Sequence, residues 1–345
     1  MKKYIKLNLQ LFAEANMNVQ TTTTSGVGND LTAEMKTFYS KDLIEMLGAN
    51  LVHLQFGDPV SLPKHGGKTI EWRKWSKFKK ALQPLTEGVT PDGTAVDVGT
   101  VVATINQFGA YSTVTDLLEM TAIDNTIVEI TAKHSENAQV TLDTVVRNEL
   151  CSGTNVLWAD KVTDAGVEKV SGRTQLTMDC KLTPNMVAKA AATLKKANAP
   201  KIDGSYVAIV HPSVAYDLLT HEQWIDVNKY SNATSIFNGE IGKLYGVRFV
   251  ESTEAAIFSG DNGTSDGKAV YGCLFLGKGA YKVVKLDAQN VEVIVKQRGT
   301  AGFDPLNQRS TIGWKANGFA AKIAIPEYIV RVECCSSFSD TDTSN

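Results

Sequence analysis

Among the 345 residues, the spacing most suggestive of chemistry is GEIGKLYGVRFVES, positions 239 to 252, where Gly239, Gly242 and Gly246 recur and Lys243 follows the second glycine. Glycine beside lysine is the mark of a phosphate cradle. A Walker loop, however, needs Ser or Thr after its lysine to hold magnesium, and here Leu244 stands in that place. That loop and the dinucleotide fingerprint both set their glycines ahead of a helix, whereas these precede a strand-like apolar run. The glycines therefore predict a turn or a close backbone approach into a strand.

The other reactive residue types are also spaced against catalysis. His53, His65, His134, His211 and His221 form neither H-x-x-x-H nor H-E-x-x-H, so no metal site is predicted. His134 falls on an apolar helical stripe and predicts packing; His211, ahead of Pro212, predicts a side-chain cap or turn contact. No G-x-S-x-G elbow is present. Asp340 and Asp342 lie in a polar tail with no pocket to shift their pKa. GDNGTSDGK, 260 to 268, lacks the spaced acids and final glutamate of a calcium loop and predicts an exposed hairpin loop. The expectation is a protein with no catalytic, cofactor-binding or metal-ligating residues, and so not an enzyme.

The strongest chemical signal is a cluster of cations and aromatics: Lys64, Lys68, Arg73, Lys74, Lys77, Lys79 and Lys80, interleaved with Trp72, Trp75 and Phe78. Single-stranded nucleic acids are bound by this combination, through phosphate pairing and base stacking. Protein interfaces use it as well, with Trp and Arg as anchors. The formal net charge of −2 tips the balance to a protein partner, because a nucleic-acid coat is usually basic overall. Lys68, Trp72, Arg73, Lys74, Trp75, Lys77 and Phe78 are the candidate contact residues.

The elements that must position this cluster follow from periodicity. Residues 16 to 30 are polar and rich in Thr and Gly, and read as a flexible arm. Apolar positions recur at helical spacing from Leu31 to Phe56, with Asn29 or Asp30 placed to cap the start, until Gly57, Pro59 and Pro63 stop the pattern. KTIEWRKWSKFKKA and TVVATINQFGAYSTVTD read as two long strands joined by a Pro- and Gly-containing tip, a β-hairpin that must lean on something outside itself. Thr126 to Leu150 keeps three- and four-residue apolar steps and predicts a long helix, with Asp124 or Asn125 at its start. Beyond Cys151 helices and strands alternate: a helix near Pro184 to Ala197, a strand at Tyr206 to Val210, a short helix through Leu219, then strands to Glu333. The class is α+β. The tail SSFSDTDTSN reads as polar and frayed.

Composition agrees with a folded chain: 43% hydrophobic and 21% charged residues are ordinary globular usage. The five cysteines are odd in number and lack C-x-x-C spacing, which suits a reducing compartment. MKKYIKLNLQLFAEA imitates a secretory signal, but Lys6, Asn8 and Gln10 interrupt the apolar segment. No run approaches the ~18 apolar residues of a membrane span.

Arm, projecting hairpin, long helix and α+β body, in that order, resemble the major capsid protein of tailed bacteriophages, whose fold is shared with the herpesvirus capsid floor. The likeness is carried by MKKYIKLNLQLFAE, YVAIVHPSVAYDLL, GEIGKLYGVRFVES and FDPLNQRSTIGWKANGFAAKIAIPE; in the third, Gly242, Gly246 and Ser252 match the family's G-x-x-x-G-x-x-[VF]-V-x-S pattern. The resemblance implies a flexible N-terminal arm at 1–30, a helical segment at 31–60 and an extended β-hairpin loop at 61–116. It further implies a peripheral domain at 117–180 with its spine helix at 126–150, an axial domain at 181–280, C-terminal strands returning to the peripheral domain at 281–335, and a tail at 336–345.

The implied function is structural: self-assembly into pentamers and hexamers of an icosahedral shell around packaged double-stranded DNA. An encapsulin-like compartment shell is the alternative, with a nucleic-acid-binding module using the basic hairpin behind it. Implied partners are further copies of the chain, a portal, and DNA met on the inner face without sequence specificity. Only 60 residues precede the extended loop, which points to a separate scaffolding protein. Assembly is expected in the bacterial host cytoplasm and the final location is the virion capsid. Some relatives crosslink a lysine to an asparagine; Lys77, Lys79 and Lys80 lie on the loop, and nothing identifies a partner asparagine.

Overall fold

The computed structural model describes residues 19–20 and, from 52 onward, all but 64–65, scattered positions between 77 and 94, 123–125, 164–165, 225–241, 287–290, 299–303 and 305. The expected arm, apart from Val19–Gln20, and most of the helix expected from Leu31 lie outside the described residues. Where that helix was to end, residues 53–56 form a turn, and Asp58–Leu62 is a strand. Proline at 59 fixes φ and removes a donor, which favours an extended segment over a helical one.

In chain order the elements are β1 (Val19–Gln20), β2 (Asp58–Leu62), β3 (Thr69–Trp75), β4 (Val98–Thr104), β5 (Asn106–Thr115), α1 (Asp116–Thr121) and α2 (Thr126–Cys151). There follow β6 (Val156–Trp158), β7 (Lys161–Thr163), β8 (Gly166–Glu168), α3 (Pro184–Lys196), β9 (Tyr206–Val210), α4 (Pro212–Leu219), β10 (Lys243–Leu244) and β11 (Val247–Glu251). The last are β12 (Ala256–Phe258), β13 (Val270–Leu276), β14 (Tyr281–Leu286), β15 (Glu292–Lys296), β16 (Arg309–Ile323) and β17 (Ile329–Cys334). Contacts divide the chain into two units, one holding Phe108–Ala138 and Val291–Ala316, the other Gly48–Gln107, Gln139–Asn290 and Asn317–Asn345.

In the first unit, β15 pairs antiparallel with the early part of β16, Val293 opposite Trp314. Gly109 and Gly313 let β5 and β16 approach closely, since a Cβ on Gly109 would stand 2.7 Å from the Trp314 carbonyl and one on Gly313 2.8 Å from that of Ala110. Val114, Leu118 and Ile312 form a small core, lined by Ile127 and Ile130 from the start of α2. The Trp314 indole donates to Asn137 at 3.0 Å.

The second unit is built on a sheet ordered β10-β11-β9-β13-β17-β6. Its central strand, VYGCLFL, is buried at every position, as expected where both faces are covered. Helix α3 begins under two start signals the sequence displays: Thr183 accepts from the Met186 N–H, and Pro184 occupies the first turn. Met186, Val187, Ala190 and Leu194 then pack with Ala208, Val210, Phe275 and Val332 in one core. Separately, β14 runs parallel to β2 and antiparallel to the late part of β16.

Helix α2 is 26 residues long, about 39 Å at 1.5 Å per residue. Ala138, Leu142, Val146 and Leu150 are buried along it, the four-residue step that defines one helical face. Between them the sequence places Asp143 and Arg147, also fully buried, and each must find a partner inside the protein.

A two-faced hairpin as candidate interaction site

The sequence predicts that TVVATINQFGAYSTVTD is one long strand; the structure breaks it at Ile105. Only Val98–Thr104 pairs with Thr69–Trp75, in a register that sets Glu71 opposite Val102, Arg73 opposite Thr100 and Trp75 opposite Val98. The break has a local cause: the Ile105 N–H turns to the Lys68 carbonyl at 3.0 Å, and its side chain enters a core cluster with Leu62, Ala103, Val284 and Ala320.

Alternation along β3 divides the predicted contact residues between two faces. On the inner face Ile70 and Trp72 pack against that core cluster. Lys282 Nζ sits 4.8 Å above the Trp72 ring, within cation–π range. Lys74 Nζ reaches Glu327 Oε2 at 3.2 Å. The Glu327 carboxyl is held below its ordinary range chiefly by a hydrogen bond from its own backbone N–H, with Lys74 adding to it against the opposing effect of burial.

The outer face carries Glu71, Arg73 and Trp75 beside Val98, Thr100 and Val102. Trp75 is 65% exposed, Val98 43% and Val102 47%. Phe78, beyond the end of β3, is 67% exposed. Lys68 is exposed at the hairpin base. Lys64, Lys77 and Lys79 lie outside the described residues. Of the seven residues the sequence groups together, two are thus spent within the chain. Among the described residues of this face, an aromatic and aliphatic strip stands beside Glu71, Arg73 and Thr100, a mixture that protein interfaces use.

Within the glycine stretch, residues 243–251 form a hairpin. β10 and β11 pair antiparallel with Leu244 opposite Val247, leaving Tyr245 and Gly246 as a two-residue loop with φ of 51° and 81°. Positive φ at both central residues is the primed turn that suits a hairpin's twist. Lys243 serves here as a strand residue.

The described histidines make structural contacts, and His65 lies outside the described residues. His211 accepts from the Ser213 N–H at 3.2 Å and caps α4; its ring stacks on Tyr271 at 5.0 Å. His134 Nε2 lies 3.0 Å from Ser112 Oγ. Burial lowers the pKa of both. Among the described residues no group of three His, Cys, Asp or Glu side chains could hold a metal, and no helix is long and apolar enough to cross a membrane. The loop at 260 to 268 closes on itself, with Thr264 accepting from the Lys268 N–H at 3.1 Å. Cys180, Cys273, Cys334 and Cys335 are buried and Cys151 half-buried, all as free thiols. Burial pushes the Cys151 thiol up to about 11 and that of Cys335 to about 12.

Two polar nodes have no counterpart in the sequence motifs. His53 and Asp143 pair deep in the protein. Arg147, 1% exposed, donates to the Glu254 carbonyl at 3.0 Å and to the Asn345 carbonyl at 2.5 Å. The second node corrects the expected frayed tail. Ser336 Oγ donates to the Ser213 carbonyl at 2.7 Å, the Ser337 N–H to Asp217 at 2.9 Å, Tyr271 to Asp342 at 2.6 Å, and the Ser344 N–H to Ser259 Oγ at 2.7 Å. Hydrogen bonds from Ser339 and then Tyr271 hold the Asp342 carboxyl below its usual value, so this aspartate is shifted after all. A polar segment reads as solvated when its partners lie 71 to 198 residues away and nothing local marks them.

Residues 97–332 match a family model described as phage capsid protein. No curated protein matches the sequence. The fold is similar to that in the capsid structure of cyanophage P-SCSP1u, with a TM-score of 0.66 at 13% identity, covering 95% of this chain and all of that one. It is similar to the capsid of Ralstonia phage GP4, with a TM-score of 0.63 at 13% identity over 94% of this chain and all of that one. In the cyanophage Pam1 capsid asymmetric unit the values are 0.64 and 14%, over 90% and 98% of the two chains.

Proposed function

The chain belongs to the phage capsid protein family, and from that premise we propose that it is the repeating subunit of an icosahedral shell, assembled through pentamers and hexamers around packaged double-stranded DNA, with no catalytic role. In this assignment β3, β4 and the tip between them are the extended loop, α2 is the spine helix of the peripheral domain, and the sheet of the second unit belongs largely to the axial domain.

The observation that supports assembly most directly is the divided hairpin. Its inner face is satisfied by Lys282, Glu327 and the apolar cluster below. Its outer face leaves Trp75, Val98 and Val102 open, and Phe78 beyond the strand end is exposed as well. Two strands alone are marginal in water, so a second surface over the outer face would add stability through burial. Arg73, Trp75, Phe78 and Lys68 are the proposed contacts with a neighbouring copy, while Trp72 and Lys74 hold the hairpin at its own body. A formal net charge of −2 suits a wall that encloses DNA without gripping it. A separate scaffolding protein, a portal and assembly in the host cytoplasm complete the proposal.

Negative-stain microscopy and sedimentation of the purified chain test it. Rings of five and six or closed shells are expected. A species that stays monomeric at every protein and salt concentration overturns the proposal.

A further inference from the structure

Among the described residues outside glycine, four have positive φ: Asn198, Asp203, Tyr245 and Asn307. Three are Asn or Asp, whose short polar side chains tolerate the left-handed region. Tyr245 is the exception. It sits at the first position of the two-residue loop between β10 and β11, where Asn-Gly is the favoured pair. The residue is 51% exposed, so packing among the described residues does not account for its choice.

A second conflict lies one step down the same hairpin. Lys243 and Arg248 are directly opposite each other, an arrangement that disfavours like charges. The Arg248 guanidinium lies 5.8 Å from the Phe56 ring, and among the described residues its buried Nε has no hydrogen-bond partner. Lys243 is exposed and forms no ion pair among the described residues. A strained aromatic and two cations with no ion pair among the described residues therefore stand together where local rules favour Asn and a charge pair. Residues that break a local rule with no gain inside the chain point to a gain elsewhere.

We propose that this hairpin tip docks head-to-tail on a neighbouring copy of the chain, its Tyr245 ring entering an apolar socket and Lys243 and Arg248 meeting carboxylates on the rim. Charge favours that occupant. Each copy is net negative at −2, whereas this tip presents the exposed cation of Lys243 beside Arg248. The contact is heterologous, tip to a different patch, which is the geometry that closes rings. This proposal rests on the shell-subunit function stated above.

The test compares the purified full chain with Tyr245→Asn and Tyr245→Phe, measuring Tm of the unassembled subunit and the protein concentration at which assembly begins by sedimentation. Tyr245→Asn relieves the left-handed strain and is expected to raise Tm by about 2 °C. The same change removes an aromatic anchor and is expected to raise the onset concentration about tenfold. Tyr245→Phe is expected to keep the wild-type Tm and an onset close to wild type. If the wild type assembles and Tyr245→Asn assembles equally well, the docking proposal fails while the shell-subunit function stands. A lower Tm in Tyr245→Asn shows that the ring serves the fold and overturns it too. A wild type that never assembles removes the shell-subunit function and this proposal with it.

Discussion

His53 Nδ1 and Asp143 Oδ2 lie 2.7 Å apart with both side chains fully shut from solvent. The second Asp143 oxygen accepts the Leu54 N–H at 3.0 Å, and the Tyr281 hydroxyl donates to the His53 carbonyl. One carboxylate on α2 thereby fastens the turn that leads into β2, and β14 closes the node from its other side. Burial of a carboxylate is costly unless it is fully hydrogen-bonded, and this one has two donors from a single turn.

Removing that carboxylate should be among the most damaging single changes in the second unit. Asp143→Ala leaves His53 and the Leu54 N–H unpaired in the interior and is expected to cost about 3 kcal/mol. Asp143→Asn keeps an acceptor and is expected to cost about 1–2 kcal/mol. Urea denaturation of the unassembled subunit separates the two; equal midpoints would show that the node contributes nothing.

Mild acid should weaken the subunit. Burial holds His134 and His211 below the ordinary histidine value of 6.5. As pH falls through 6.5 the unfolded chain therefore takes up protons that the folded chain refuses, and stability drops until the lowered folded values are passed. Asp342 acts in a separate window: hydrogen bonds lower its pKa from 3.8, so its contribution is present above that value and disappears as pH falls through the depressed one. A lower urea midpoint at pH 5.0 than at pH 7.5 is expected, with His211→Asn narrowing the gap. A midpoint that rises toward pH 5.0 contradicts the assignment.

The tail is expected to behave as part of the core. Deleting residues 336–345 strips Arg147 and Asp217 of partners they hold in the interior; hydrogen bonds to charged groups contribute about 1.5–3 kcal/mol each. A loss of at least about 3 kcal/mol follows from the two together. Calorimetry of the truncated chain checks this, and an unchanged Tm would restore the frayed tail.

Trp72 and Trp75 should separate stability from association. Trp72→Ala empties part of the cluster beneath the hairpin and is expected to cost about 2 kcal/mol in the isolated subunit. Trp75→Ala touches only the outer face, so the isolated subunit should shift by no more than about 0.5 kcal/mol, while assembly followed by light scattering falls several-fold. The opposite pattern would reverse the two faces.

What the sequence made legible was whatever rests on local rules. The start of α2 at Thr126, the strand Tyr206–Val210, the cap from His211 and the turn at the glycines of GEIGKLYG all follow from periodicity or from residues within four positions of one another. Long-range partnership was hidden. Nothing near Asp143 announces a histidine 90 positions away, and nothing in SSFSDTDTSN announces Arg147. Two charges at i and i+4 beside the apolar stripe of α2 were the available hint, since a helix seldom buries both without partners. The cluster of cations and aromatics is visible in the composition, whereas its division between two faces needed the register that sets Trp75 against Val98. The break at Ile105 escaped for a related reason, because an apolar residue in a β-rich run does not show that the strand changes neighbours there.

The buried thiols have a practical corollary. With four of five sulfhydryls enclosed and Cys151 raised to about 11, little thiolate is available at neutral pH to electrophilic labels. Each copy is thus a near-blank background for conjugation. Val167 is 67% exposed on the small hairpin of β7 and β8, which pairs with no other described strand. A cysteine introduced there would become the one addressable handle per copy, at which a dye or a peptide could be mounted without competition from the native sulfur atoms.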